Sequence, residues 1–180
     1  MSIDLHWALL PSHYRLPAGP FLDRAVPGAV AGRPVSTFCP QDVVLYTCIH
    51  GSKHAWSSLH WLADLVRAMD KHVEAVGPAF ERARAAGLSR AFELGVSLAH
   101  NPGSPPPGDG HRYQFGLQDR LANKLRYAAG ILEPHPADWR ALRLPAALYP
   151  AYYLIRPVRL ALKYASRALW RRPSGLPLAF

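Results

Sequence analysis

LYTCIHGSKHAWSSLHWLADL, residues 45–65, begins as an apolar helical pattern and continues as a dense run of histidine, lysine and tryptophan. On a helix, His50, Lys53 and His54 lie at positions i, i+3 and i+4 and therefore share one face. The residues on the opposite face are apolar: Val44, Leu45, Cys48 and Ile49. The sequence predicts a helix with one buried face and one polar, titratable face.

The rest of the chain predicts a mainly α protein, a helical bundle with a short N-terminal strand. Residues 3–10 are rich in apolar and aromatic side chains and end at Pro11, which suits a strand. Five prolines and several glycines in residues 11–39 predict an irregular connector. Capping and breaking residues predict helices over these ranges: 41–55, 58–72, 78–86, 89–100, 113–132 and 145–171, the last broken or bent near Pro150 and Pro157, with a loop at 101–110 and a turn at 133–138.

Charge divides the chain unevenly. Residues 1–138 carry 13 basic and 12 acidic side chains, whereas residues 139–180 carry 8 basic and none acidic. We therefore expect three segments: a strand and proline-rich connector at 1–39, a helical bundle at 40–138 and a basic helical segment at 139–180. The net charge of +9 therefore comes almost entirely from residues 139–180, while the rest of the chain is charge-balanced. This distribution argues against a nucleic-acid partner.

Cysteine usage and hydropathy bear on the compartment. The two cysteines, Cys39 and Cys48, are too few for a disulfide scaffold and lack the C-x-x-C spacing of a zinc site. The N-terminus lacks the charged start and apolar run of a secretion signal. No stretch reaches the roughly 18–20 apolar residues of a membrane span. These features predict a cytoplasmic protein.

The cluster of His50, Lys53, His54, His60 and Asp64 has two interpretations. The first is a set of satisfied polar groups at a helix junction. The second is a substrate-binding site for an anionic group such as a phosphate, and the density of titratable groups favours it. His60 and Asp64 lie at i and i+4, in the order that lets a carboxylate orient an imidazole. Zinc is disfavoured, since the H-x-x-x-H pair lacks the glutamate of the protease signature and no third ligand is evident.

Four segments carry a resemblance to a known family: IDLHW at 3–7, the run at 45–65, LRYAAGILEPHPADW at 125–139 and ALYPAYYLIRPVRLALKY at 147–164. Together they resemble a poorly characterised bacterial nucleotidyltransferase family whose members often accompany surface-polysaccharide or modified-peptide gene clusters. Full-length members resemble the polymerase β-like fold, with a small mixed sheet followed by a helical domain. The resemblance implies that this chain corresponds to the later, mainly helical part of such a protein.

Nucleotidyl transfer in that fold needs a Gly-Ser turn, a D-x-D pair and a third carboxylate, which together hold two magnesium ions. The resemblance makes Asp4 the candidate third carboxylate, but no two acidic residues of this chain stand two apart. Gly51 and Ser52 match the turn only in composition, because they lie in a predicted helix. The chain is then a truncated product, a mispredicted start, one half of a split gene or a non-catalytic module.

From this resemblance we expect no cofactor for this chain alone, and Mg²⁺ only where the missing catalytic core is supplied. The expected partners are a nucleotide or a phosphorylated acceptor, and a second chain pairing with the N-terminal strand.

The C-terminal segment supports an alternative, non-enzymatic function. Five basic residues recur every three or four positions: Arg156, Arg159, Lys163, Arg167 and Arg171. Such a stripe beside apolar and aromatic residues suits a helix lying on an anionic membrane surface, which would make the protein membrane-peripheral. It equally suits a helix packed on the bundle with a solvated basic face. The sequence leaves both readings open.

Overall fold

The computed structural model describes residues 9–102 and 110–170. Contacts divide the chain into two compact units, unit 1 (Met1–Tyr127) and unit 2 (Ala128–Phe180). The boundary falls inside a helix, and the three segments expected from composition and charge stay a prediction. The predicted mainly α fold is confirmed.

Residues 11–39 form regular structure, so the predicted irregular connector is wrong. A 3₁₀ turn at Ser12–Tyr14 precedes α1 (Ala18–Asp23), and β1 (Val26–Val30) pairs antiparallel with β2 (Arg33–Thr37). The hairpin turn uses Ala31 and Gly32, both with positive φ, as tight hairpin turns require. The prolines of both strands are tolerated because, within the described residues, β1 and β2 pair with each other alone and are both edge strands.

The predicted N-terminal strand lies mostly outside the described residues. Of residues 3–10, the structure describes Leu9 and Leu10, and neither belongs to a strand.

The four central helices are confirmed close to their predicted bounds. They are α2 (Pro40–Lys53), α3 (Leu59–Lys71), α4 (Val76–Ala86) and α5 (Ser89–His100), with a 3₁₀ turn at Val73–Ala75 before α4. Pro40 opens α2, where its missing N–H costs nothing. Gly87 ends α4 in the left-handed conformation, with φ of 75°.

Helix α2 is the centre of unit 1 and packs against α3, α4 and α5. Its predicted apolar face is confirmed, since Val44, Leu45, Cys48 and Ile49 have no exposed surface. The core around them includes Tyr14, Phe21, Leu65, Leu88 and Phe92.

The end of α2 is a sharp reversal built around Trp56. Ala55 and Trp56 both have φ near +50°, a conformation that costs an L-residue roughly 1–2 kcal/mol. The reversal lets the buried indole lie on the backbone of Gly51, where a Cβ would stand 2.3 Å from the ring. The same ring lies close to Gly95 of α5. Burial of this tryptophan offsets the backbone strain and sets the start of α3.

The predicted helix over 113–132 is two helices, α6 (His111–Gly116) and α7 (Leu121–Leu132). The two helices are separate because residues around the break form hydrogen bonds with α4 and α5. Asp119 accepts the backbone N–H groups of Ser89 and Arg90 at the start of α5, and the Asn123 amide donates to the Ala86 carbonyl at 2.9 Å. These tertiary caps outweigh the local helical preference.

Unit 2 contains α8 (Pro136–Ala141), a 3₁₀ segment at Ala146–Ala151 and α9 (Tyr152–Trp170). The predicted turn at 133–138 is instead largely the start of α8, capped by His135 and Asp138 in a reciprocal capping box. The predicted break near Pro150 is confirmed, whereas Pro157 lies within α9.

Candidate functional site

A cleft of about 240 Å³ lies between α2 and α3. Three of the five predicted site residues line it, namely His50, His60 and Asp64. The other lining residues are Tyr46, Thr47 and Trp61. Helical spacing explains the grouping, because residues 46, 47 and 50 share one face of α2 and residues 60, 61 and 64 share one face of α3.

Stacked rings form one wall of this cleft. The His54 ring stacks on Trp61 at 4.5 Å between centroids and 22° between planes. His50 lies 4.8 Å from His54, and Tyr46 lies 5.4 Å from His50. Burial and the nearby charge of Lys53 lower the pKa of His54, so its imidazole is neutral at pH 7 and carries one donor and one acceptor.

His60 is oriented by a serine instead of the aspartate proposed from the sequence. Its Nδ1 lies 2.6 Å from the Ser58 hydroxyl oxygen. Among the ion pairs of residues 9–102 and 110–170, none joins His60 to Asp64. Asp64 is exposed and presents its carboxylate to the cleft.

Lys53 and His54 are not among the residues lining the cleft, whereas His50 is. The charge of Lys53 acts on His13 as well as on His54. Burial, with a further contribution from Lys53, lowers the pKa of His13 to about 4. Of the predicted face of His50, Lys53 and His54, the two histidines belong to the row of stacked rings, and the charge of Lys53 acts on both His54 and His13.

Sequence reasoning missed the polar contacts that hold the end of α2. The Tyr113 hydroxyl donates to the Ser52 carbonyl at 3.0 Å, and the Gln114 amide donates to the Lys53 carbonyl at 2.8 Å. Tyr14 in turn donates to the Gln114 side-chain oxygen at 2.8 Å. No local signal indicates these bonds, since their partners are about 60 to 100 residues apart.

A second cavity of about 350 Å³ adjoins the cleft, and both are lined by Thr47 and Asp64. It adds three basic side chains, Arg67, Lys71 and His72. Its other walls come from the hairpin and the start of α2: Val26, Thr37, Phe38, Pro40 and Val43. The sequence signal for the basic residues was available, because Asp64, Arg67 and Lys71 follow one another at helical spacing.

A buried ion cluster at the start of α2 was also missed. Asp42 has no exposed surface and accepts from Arg24 at 3.1 Å, from Arg82 and from the Cys39 thiol at 3.2 Å. Both guanidinium groups lie over Phe21. The cluster ties α1, α2 and α4 together, and its residues do not line the cleft.

The described residues form no metal site of the kind that the resemblance implies. Within the described ranges, no three His, Cys, Asp or Glu side chains lie close enough to hold a metal ion. Asp4, the candidate third carboxylate, lies outside those ranges. No reaction step is therefore assigned to a metal ion.

In unit 2, the first two arginines of the basic stripe form ion pairs with an aspartate. Arg156 lies 3.2 Å and Arg159 lies 2.8 Å from Asp138, whose carboxylate has no exposed surface. Burial alone would raise the pKa of Asp138, but the His135 backbone N–H and both arginines outweigh it and lower the pKa. Lys163 is exposed.

The side chains of Arg167 and Arg171 lie outside the described part of the chain. No helix among the described residues has both the length and the apolar character to cross a bilayer.

Comparison with known proteins gives one match. A family model described as an uncharacterised nucleotidyltransferase matches residues 1–102. The match contains the cleft, the second cavity and two of the four segments that carried the resemblance, while the segments at 125–139 and 147–164 lie beyond it. The comparisons with curated proteins and with solved structures found no match. Since the matched residues make up more than half of the chain, the protein belongs to the uncharacterised nucleotidyltransferase family.

Proposed function

We propose that the cleft between α2 and α3 binds a nucleotide or a phosphorylated acceptor, and that this chain supplies the substrate-binding part of a nucleotidyltransferase. The observation that carries the proposal is the pairing of two adjacent cavities, one lined partly by aromatic rings and one carrying three basic side chains on its α3 side. A nucleotide has the same two parts, a flat ring system and an anionic phosphate chain.

The aromatic part fits a base or another flat ring. Trp61 is half-buried, lines the cleft and is held by its stack on His54. A ring already fixed by packing loses little conformational freedom when a ligand stacks on it. The neutral imidazole of His54 supplies a donor and an acceptor that select among ligands by hydrogen bonding.

The basic part fits phosphate. Arg67 and Lys71 are exposed on α3, and Asp64 is the one carboxylate among the residues lining the two cavities. Arginine and lysine recognise phosphate through charge-assisted hydrogen bonds. Together the two cavities reach the roughly 300–1,000 Å³ typical of small-molecule sites. Lys53, which the sequence indicated as the anion contact, has no place in this arrangement.

The binding proposal is tested by calorimetric titration of the full chain with a nucleoside triphosphate. In Arg67→Gln/Lys71→Gln we expect affinity to fall about tenfold or more, because each charge-assisted hydrogen bond contributes roughly 1.5–3 kcal/mol. Trp61→Ala should weaken binding about fivefold or more through lost stacking. Lys53→Gln should leave the affinity unchanged.

The matched control is Arg112→Gln/Arg126→Gln, which removes the same charge from exposed positions on α6 and α7. Equal losses in the control and in the cleft variant would mean that net charge, not the cleft, attracts the nucleotide. Tight binding that needs Lys53 but neither Arg67 nor Lys71 would also reject the cleft.

Under this proposal the metal-holding carboxylates are not supplied by this chain alone. A D-x-D pair is missing from the sequence, and one aspartate does not organise two magnesium ions. The purified chain with Mg²⁺ and nucleoside triphosphate should therefore release no pyrophosphate above background. Turnover that disappears in Asp4→Ala would show that the chain is catalytic by itself.

A further inference from the structure

Unit 2 combines exposed apolar residues with exposed basic side chains. Eight large apolar side chains are exposed within a short stretch: Trp139, Leu142, Leu148, Tyr149, Tyr153, Leu154, Val158 and Leu162. From residue 139 onward the chain has basic residues and no acidic ones, and Asp138 just before them is buried. Exposed apolar surface of this density marks an interaction site.

Helix α9 presents its apolar side outward. Leu154, Val158 and Leu162 lie at i, i+4 and i+8 on one face and are 75%, 60% and 66% exposed. Arg156 and Arg159, on the other side of the helix, bond Asp138. The charged side that the sequence suggested for surface contact is thus partly used inside the unit. The apolar row is what the helix offers outward.

A shallow basin of about 520 Å³ lies beside this helix in unit 2. Trp139 and Tyr149 form its aromatic walls with ring centroids 6.3 Å apart, and Arg140 and Arg143 add two exposed guanidinium groups. Tyr152 is buried there, and its hydroxyl donates to the Leu142 carbonyl at 2.7 Å. That bond and the one from the Leu144 N–H at 3.0 Å fix the loop after α8, which carries Arg143.

We propose that this surface of unit 2, the basin together with the apolar row of α9, docks on an anionic lipid bilayer. Tryptophan and tyrosine favour the boundary between headgroups and acyl chains, where one end of the ring is apolar and the other is wet. Arginines beside them bond lipid phosphates. Leu154, Val158 and Leu162 reach the acyl region, as in interfacial helices.

The charge distribution selects the bilayer over other occupants. A second copy of this chain would bring an equally basic surface against the first, and the repulsion would oppose pairing. An anionic bilayer is complementary over the whole surface, and each basic residue near it strengthens binding about fivefold. The inference does not depend on the proposed nucleotide site, which lies in unit 1.

Co-sedimentation of the full chain with vesicles tests the proposal. The chain should partition onto phosphatidylcholine vesicles containing phosphatidylglycerol and much less onto phosphatidylcholine alone. Arg140→Gln/Arg143→Gln should lower partitioning roughly thirtyfold. The control Arg112→Gln/Arg126→Gln carries the same net charge and should lose little. Leu154→Gln/Val158→Gln/Leu162→Gln should remove the part of the binding that survives high salt, since screening acts on charge and not on apolar contact.

A second measurement uses fluorescence quenching and needs only single tryptophan-to-phenylalanine variants. Brominated acyl chains should quench tryptophan fluorescence of the bound chain, with less quenching in Trp139→Phe and no reduction in Trp61→Phe.

Three outcomes would overturn the proposal. The first is equal binding of the full chain to both vesicle types. The second is equal partitioning of Arg140→Gln/Arg143→Gln and of its control Arg112→Gln/Arg126→Gln. The third is that Leu154→Gln/Val158→Gln/Leu162→Gln turns a dimer into a monomer and leaves vesicle binding as it was.

Discussion

Both units of the chain hide one aspartate between two arginines, but they surround it differently. In unit 1, Asp42 lies at the edge of a large apolar core that α2 organises. In unit 2, the described residues that are buried are Asp138 and Tyr152. The Asp138 carboxylate is covered by its own bonding partners. The same charged arrangement therefore supplements a core in unit 1 and largely replaces one in unit 2.

This difference locates the stability of the two units. Unit 1 depends mainly on apolar burial, which contributes about 25 cal/mol per Å² of apolar surface removed from water. Unit 2 depends on directional bonds around Asp138 and Tyr152, which contribute less each. The functional proposals follow the same division, since a rigid cleft needs the packed unit and a docking surface tolerates exposed apolar side chains.

The largest effect is expected from truncating the core of unit 1. Leu65→Ala removes a fully buried side chain and should lower the free energy of unfolding of unit 1 by about 3 kcal/mol. Leu154→Ala, at an exposed position of α9, should change stability by less than about 0.5 kcal/mol. Urea unfolding followed by hydrogen exchange measures both, and equal losses would mean that α9 is as buried as α3.

Removing the charge of Asp42 should cost nearly as much. Asp42→Asn leaves Arg24 and Arg82 without their carboxylate, and breaking a buried ion cluster costs about 3 kcal/mol. Their partial exposure makes this an upper value. Calorimetric unfolding measures the effect, and Glu81→Gln, at a surface ion pair, is the control expected to stay near wild type. A neutral result for Asp42→Asn would show that apolar packing alone holds α1 and α4 to α2.

The two units should lose stability in different pH windows. His13 has a folded pKa of about 4, below its ordinary 6.5, so the unfolded chain binds more protons between these values. Unit 1 should therefore lose on the order of 1–2 kcal/mol as pH falls from 6.5 towards 4, after allowance for solvent screening. Asp138 has a lowered pKa, so its contribution to unit 2 should persist until pH falls below 3.8.

Hydrogen exchange measured between pH 7 and pH 3.5 separates the two windows. His13→Gln should remove most of the dependence of unit 1 between pH 6.5 and 4 and leave unit 2 unchanged. If both units weaken together near pH 6, the histidine is not responsible.

The smallest effect is expected from Asp138→Asn. The amide keeps the capping geometry but loses the charge that holds Arg156 and Arg159; because these side chains and not an apolar core cover the carboxylate, solvent screens the pairs more than those of Asp42, and we expect a loss of about 1 kcal/mol. Faster hydrogen exchange should be confined to α8 and the first half of α9. Faster exchange across α2 as well would contradict the division into two units.

The central helices were predictable because their signals are local. Apolar residues at helical spacing, Pro40 at the start of α2 and Gly87 after α4 act within a few residues of the chain. The buried face of α2 and the cleft positions of His50, His60 and Asp64 follow from the same periodicity. Family membership was also readable from short segments, and the match over residues 1–102 confirms it.

Tertiary structure decided what depends on distant partners. The break between α6 and α7 exists because Asp119 caps α5, and the end of α2 is fixed by Tyr113 and Gln114, some 60 residues away. Periodicity places a side chain on a face but does not say which charge will meet it there. For that reason the sequence placed Lys53 with the histidines of the cleft and left Arg156 and Arg159 on a basic stripe, whereas in the structure Lys53 does not line the cleft and the two arginines pair with Asp138.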